Sequence, residues 1–187
     1  MSEDFERYRH LGRQTIRYGM GVDPGIASTG FGIVREVDGA CSYVAAGTVR
    51  TPPLLPLEAR LERITRVLSA AWATVPNDGP MRVGIEMFTV TPARPSSTIT
   101  VEGTLLVIGE ARHLFRERAR LYRVPAWHAA LGIKVARGED HEAINRAAVR
   151  AAVEARIGVH VKKSHYHAID ALALALAALA DDSPFET

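Results

Sequence analysis

Three carboxylates stand where apolar elements would ordinarily exclude them. Asp23 closes the run Gly19-Met20-Gly21-Val22-Asp23 and is followed by Pro24-Gly25. Glu86 closes a second run, Met81-Arg82-Val83-Gly84-Ile85-Glu86. Asp170 lies within Tyr166-His167-Ala168-Ile169-Asp170-Ala171-Leu172, which reads as an apolar helix. An isolated charge in an apolar element costs several kcal/mol unless it is paired or binds a metal. Three acids in three elements are best reconciled by a fold that brings them together around a hard divalent cation.

The elements around these acids set the fold class. Strand-like runs cover Tyr18 to Asp23, Gly30 to Val37 and Ala40 to Val49. Asp38-Gly39 joins the last two, and a type I′ hairpin turn needs positive φ at both positions. Pro52, Pro53 and Pro56 end this antiparallel meander. Leu57, Leu61, Ile64, Leu68 and Trp72 then recur at helical spacing, until Pro76-Asn77-Asp78-Gly79-Pro80 stops them. The fourth strand carries Glu86 at its end. A polar loop from Thr89 leads to a second helix over Ser96 to Arg118, and Leu121 to Pro125 reads as a fifth strand. Gly138-Glu139-Asp140-His141-Glu142 opens a third helix, its acids at the positive end of the dipole. Ser164 is the expected N-cap of a last helix running to Ala180. The order βββαβαβαα predicts an α/β fold: a mixed sheet of about five strands flanked by helices. Both faces of the segment Ala171 to Ala180 are apolar, so this helix should be buried.

Residues 1 to 16 carry mixed charge without a strand pattern and read as an N-terminal arm, a solvated extension first and, through Arg7, Arg9 and Arg13, a DNA contact second. Residues 17 to 182 read as one domain and 183 to 187 as a short tail. At 187 residues and 47% hydrophobic content, the chain can bury one ordinary core. Its single cysteine, Cys41, excludes an internal disulfide, and no Cys/His group has zinc spacing. The longest apolar run is about half the ~20 residues needed to span a bilayer, so a cytoplasmic protein is expected. A net charge of +2 is compatible with nucleic acid without requiring it.

His167 and Asp170 are three residues apart, which on a helix places them about 60° apart on one face. If the first and fourth strands pair, Asp23 and Glu86 become neighbours, and the start of the last helix must dock against both. Each residue taken singly has a plainer reading: a turn acid, a strand-end acid, a helix-start histidine, an acid near a helix N-terminus. All four would have to mimic one site independently for the plainer readings to hold together.

Gly21-Val22-Asp23-Pro24-Gly25 with Thr29-Gly30-Phe31-Gly32-Ile33-Val34, then Ile85-Glu86 before an aromatic, then His167-Ala168-Ile169-Asp170-Ala171-Leu172-Ala173 closely resemble the motifs of RuvC-type Holliday-junction resolvases. The resemblance covers roughly residues 18 to 180, in the right order and spacing. It implies an RNase H-like fold, a homodimer, and a Mg²⁺- or Mn²⁺-dependent endonuclease nicking opposed strands of a four-way DNA junction. It implies metal ligation by Asp23, Glu86, His167 and Asp170, with Asp23 bridging two ions. Many members have aspartate where this chain has His167; a neutral imidazole lowers the negative charge and favours Mn²⁺ somewhat over Mg²⁺.

The same resemblance assigns Phe88 to stacking at the junction centre, although a core phenylalanine at a strand end fits equally. Arg94 lies in the following polar loop, within reach of a phosphate. Family members commonly carry lysines before and at the start of the third helix; here His141 stands where one is expected. Lys134, Arg137, Lys162 and Lys163 remain the candidate phosphate contacts. Small residues on the Ser96 to Arg118 helix (Gly103, Thr104, Gly109) suit close helix packing, either within the chain or at a dimer seam. Branch-migration proteins are a possible further partner. Two rival functions stay open: an RNase H-like nuclease of broader branched-DNA or RNA–DNA hybrid specificity, and a catalytically weak junction-binding protein. An actin-like ATPase is disfavoured because the chain is too short for two such domains.

Overall fold

The computed structural model describes residues 14–89, 97–136, 141–162 and 165–181. Strands β1 (Ile16–Asp23), β2 (Ser28–Val37) and β3 (Ala40–Arg50) form the antiparallel meander. Asp38 and Gly39 both take positive φ, 50° and 86°, as the hairpin requires. Helix α1 (Leu57–Ala73) crosses to β4 (Met81–Glu86), which pairs parallel with β1. Helix α2 (Thr98–Phe115) crosses to β5 (Ala119–Tyr122), parallel to β4. The sheet order is β3-β2-β1-β4-β5, so β1 is the central strand. Helices α3 (Val124–Ala130), α4 (His141–Ile157) and α5 (Tyr166–Ala180) complete the chain.

Several boundaries differ from the sequence expectation for local reasons. Helix α2 starts at Thr98, where Ser97 Oγ accepts from the Thr100 N–H, and it ends at Phe115. Arg116 there takes φ 49°, and a short 3-10 turn over Arg116–Arg118 follows. The fifth strand lies earlier than Leu121 to Pro125, because Pro125 sits in the first turn of α3, where its missing N–H is not needed. Helix α3 itself, seven residues long, was not expected as a helix. The last helix has His165 at its N-cap position; the expected cap, Ser164, lies outside the described residues.

Two cores sandwich the sheet. Tyr18, Met20 and Val22 of β1 and Met81, Val83 and Ile85 of β4 pack with Ile64 and Leu68 of α1 and Val107, Ala111 and Phe115 of α2. On the opposite face lies α5, whose residues Ala171 to Leu179 are all buried, with α4 and α3 outside it. Strand side chains alternate in direction, so Gly19, Gly21 and Gly84 face α5. They are small because α5 lies directly on the sheet: a Cβ on Gly21 would stand 1.8 Å from the Ala171 carbonyl oxygen. Arg120 and the Tyr122 hydroxyl, at 2.5 and 2.8 Å from Asp181, tie the far end of α5 to β5. No helix among the described residues is long and apolar enough to cross a membrane.

Candidate active site

The alternation that points Gly19 and Gly21 at α5 also points Asp23 there, since it is two residues further along β1. The same step from Arg82 and Gly84 carries Glu86 to that side of β4. The strands are parallel and in register, Val22 opposite Ile85, so the two acids end adjacent strands at the same edge. This is the carboxyl end of the parallel pair, where open α/β sheets commonly place their ligands. Helix α5 brings its first turns over that edge. Gly30 on β2 permits this, because a Cβ there would lie 2.1 Å from the His167 carbonyl oxygen.

Two hydrogen bonds fix the side chains. His167 Nδ1 lies 2.5 Å from Asp23 Oδ2, with side-chain exposures of 25% and 13%. Trp127 Nε1 donates to Glu86 Oε2 at 3.2 Å. Trp127 is buried in the α3–α4–α5 core, so the indole is a rigid donor for Glu86.

The carboxylates sense one another strongly. Burial, then the charges of Asp23 and Asp170, raise Glu86 to about 8, against the pull of the Trp127 hydrogen bond. Burial, then Asp23, raise Asp170 to about 7, while His167 and Arg146 act in the opposite direction. A half-buried group of acids that resist ionising together is what a bound cation relieves, and the donors are those a hard cation takes, with one imidazole. Among the described residues, however, no group of three or more His, Cys, Asp or Glu is drawn in tightly enough to hold an ion as it stands. The His167 ring occupies one oxygen of Asp23.

The other sequence candidates are scattered. Phe88 is partly buried against the core on the α1–α2 side. Lys134 and Lys162 are exposed, and His141 is exposed at the first position of α4. Arg94, Arg137, Lys163 and the arm arginines Arg7, Arg9 and Arg13 lie outside the described residues. Three residues near the acids were missed as site residues. Trp127 holds Glu86. Tyr166 packs its ring 4.2 Å from that of His167, and Arg146 lies over Tyr166 at 4.7 Å. Their signal in the sequence was weak: an aromatic beside a candidate ligand, and a base one turn inside α4.

The family model described as crossover junction endodeoxyribonuclease RuvC matches residues 19–178. The chain belongs to the RuvC family. RuvC of Ectopseudomonas mendocina is 42% identical over 67 residues, 36% of this chain and 36% of that one. RuvC of Janthinobacterium sp. is 32% identical over 94 residues, 50% of this chain and 45% of that one. The matched stretches thus span between about a third and a half of those RuvC chains. The solved structure of Thermus thermophilus RuvC in complex with Holliday junction substrate superposes with a TM-score of 0.66 at 22% identity, over 89% of this chain and 94% of that one. That likeness gives this chain the RuvC, RNase H-like fold.

Proposed function

We propose that this chain is a structure-selective endodeoxyribonuclease that resolves four-way DNA junctions by metal-dependent phosphodiester hydrolysis. One observation supports the reading: Asp23 and Glu86 end adjacent strands, His167 bonds Asp23, and Asp170 is near enough to raise Glu86, in a chain of the RuvC family. The Thermus thermophilus relative, whose structure is in complex with Holliday junction substrate, supports the choice of substrate.

The four side chains would hold divalent metal, Mg²⁺ with Mn²⁺ also effective. Such ions activate water at neutral pH and offset charge on the phosphoryl oxygens. The chain's own contribution is positional. Asp23 and Glu86 are fixed on neighbouring central strands, so their separation hardly varies. Trp127 holds Glu86 oriented and favours its ionised form, and the His167 ring fixes the orientation of Asp23. The close-packed α5 keeps Asp170 in a poorly hydrated setting, where electrostatic interactions gain strength.

Cuts in opposed strands need two sites related by a two-fold axis. The reading therefore includes a homodimer, for which the exposed Ile99, Leu105 and Leu106 of α2 offer an apolar surface. It also includes a cytoplasmic setting and a nuclease domain over residues 17 to 182, preceded by an arm. The test is nicking of labelled four-way junction, three-way junction, flap and RNA–DNA hybrid substrates in Mg²⁺ and in Mn²⁺. Paired nicks confined to the four-way junction are expected. Equal cutting of all branched substrates, or of the hybrid, would favour a broader nuclease. Tight junction binding with no nicking in either metal would leave a binding protein.

A further inference from the structure

Beside the acids, a cleft of about 760 Å³ opens between the β2–β3 edge, α1 and the start of α5. It shares His167 with the candidate site and is otherwise different in character. Arg50, at the end of β3, and Arg63, on α1, both line it, and both side chains are exposed. His165 and Tyr166 form its α5 wall, and Ser28 and Thr48 add hydroxyls from the sheet. Among the described residues, no aspartate or glutamate lines it. The chain thus sets a cationic cleft directly against a cluster of carboxylates.

We propose that this cleft carries the phosphodiester backbone of the DNA strand as it runs to or from the acids, with Arg50 and Arg63 as its phosphate contacts. The assignment rests on reading the neighbouring acids as a DNA-cleaving site. Polyanion chemistry explains the cleft better than a small ligand does. Its two arginines come from different elements, Arg50 from the end of β3 and Arg63 from α1. Arginine offers a planar fork that pairs with phosphate oxygens. Tyr166, 39% exposed, adds part of an aromatic side chain to the wall. His167, which bonds Asp23, also lines the cleft, so the cleft lies beside the acids.

Counterion release provides the readout. Each phosphate contact contributes about 0.9 to the slope of log affinity against log salt on duplex DNA. Between 50 and 200 mM salt, one contact therefore accounts for roughly a 3.5-fold loss of affinity, and two for roughly 12-fold. The experiment titrates fluorescently labelled four-way junction and labelled linear duplex with metal-free full-length protein across this salt range. Arg50→Ala, Arg63→Ala and the double variant are compared with Arg156→Ala. Arg156 is exposed near the Cys41 end of the sheet, far from the acids. Thermal melts check that each variant folds. The double variant is expected to lose close to two from the salt slope for each protomer whose cleft is engaged, while Arg156→Ala keeps the wild-type slope. A folded double variant with the slope of Arg156→Ala overturns the assignment. Equal wild-type affinity for junction and duplex would instead count against junction selectivity and leave the cleft assignment standing on its own slope.

Discussion

His167 Nδ1 and Asp23 Oδ2 lie 2.5 Å apart, although 144 residues separate them in the chain. The contact joins the first turn of α5 to the end of the central strand, across the glycine that lets the helix approach. It ties together two of the residues proposed as ligands, which differ in kind: a carboxylate with two oxygens and an imidazole with one nitrogen to offer.

His167→Asp is expected to keep nicking activity, and His167→Ala to lose most of it. Aspartate restores an oxygen donor and adds charge, which suits Mg²⁺, whereas imidazole tolerates Mn²⁺ better. Alanine removes the ring that orients Asp23. The measurement is junction nicking across titrations of each metal. If His167→Ala matches wild type in both, the histidine only starts the helix, and the site reduces to three carboxylates.

Asp23→Asn should lower nicking by about a thousandfold or more while junction binding persists. The substitution keeps shape and removes the charge that two neighbouring acids already sense. Loss of electrostatic stabilisation at the reacting phosphate has effects on this scale. Phosphate contacts elsewhere are untouched, so binding in gel shifts should remain within a few-fold of wild type. Normal nicking by the variant would take Asp23 out of the chemistry.

Trp127→Phe keeps most of the buried volume but removes the hydrogen bond to Glu86. That bond is the one influence favouring the ionised form of Glu86 against burial and its acidic neighbours. Without it, Glu86 should ionise at still higher pH. The pH profile of nicking should move in the alkaline direction by about one pH unit, since a hydrogen bond to a charged group is worth ~1.5–3 kcal/mol before solvent screening. An unshifted profile with reduced activity at every pH would assign Trp127 a packing role only.

Much of this architecture was legible in the sequence because it rests on short-range rules. Asp38-Gly39 announced its hairpin, and the leucine spacing from Leu57 announced α1. That Asp23 and Glu86 would be neighbours hung on pairing of the first and fourth strands, and β1 and β4 do pair. What escaped depends on tertiary contact. Trp127 sits on a seven-residue helix too short to show a period, and its indole meets Glu86 only once that helix docks. Pro125 read as a strand stop when it was a helix start. The cationic cleft draws Arg50 and Arg63 from different elements, and neither stands in a basic run.

Light scattering should find a dimer, and Leu106→Arg should turn it into a monomer. Ile99, Leu105 and Leu106 are 67%, 52% and 45% exposed on α2, an unusual set of large apolar side chains to leave in water on one helix. A buried arginine at the seam costs several kcal/mol unless paired. The monomer should make single nicks without pairing them. A wild-type protein that is monomeric both free and on junction DNA would sink the two-site reading.

The metal-free protein should lose stability as pH rises through the range where Glu86 and Asp170 ionise. Their ordinary values are 4.5 and 3.8, and the fold raises them to about 8 and about 7. For an acid raised by folding, the neutral form is favoured in the native state. The stabilisation this brings is complete below the unfolded value and disappears as pH passes the folded one. Thermal melts in chelator should therefore fall from pH 5 to pH 8.5. Divalent metal binds the ionised carboxylates, so its stabilising effect should grow over the same interval and release protons on binding. Differential scanning calorimetry with and without Mg²⁺ or Mn²⁺ at five pH values tests both trends. Repeating it with Glu86→Gln should flatten the metal-free trend, because the largest contributor is then neutral at every pH. A metal increment that stays constant from pH 5 to 8.5 would mean that the ions bind elsewhere.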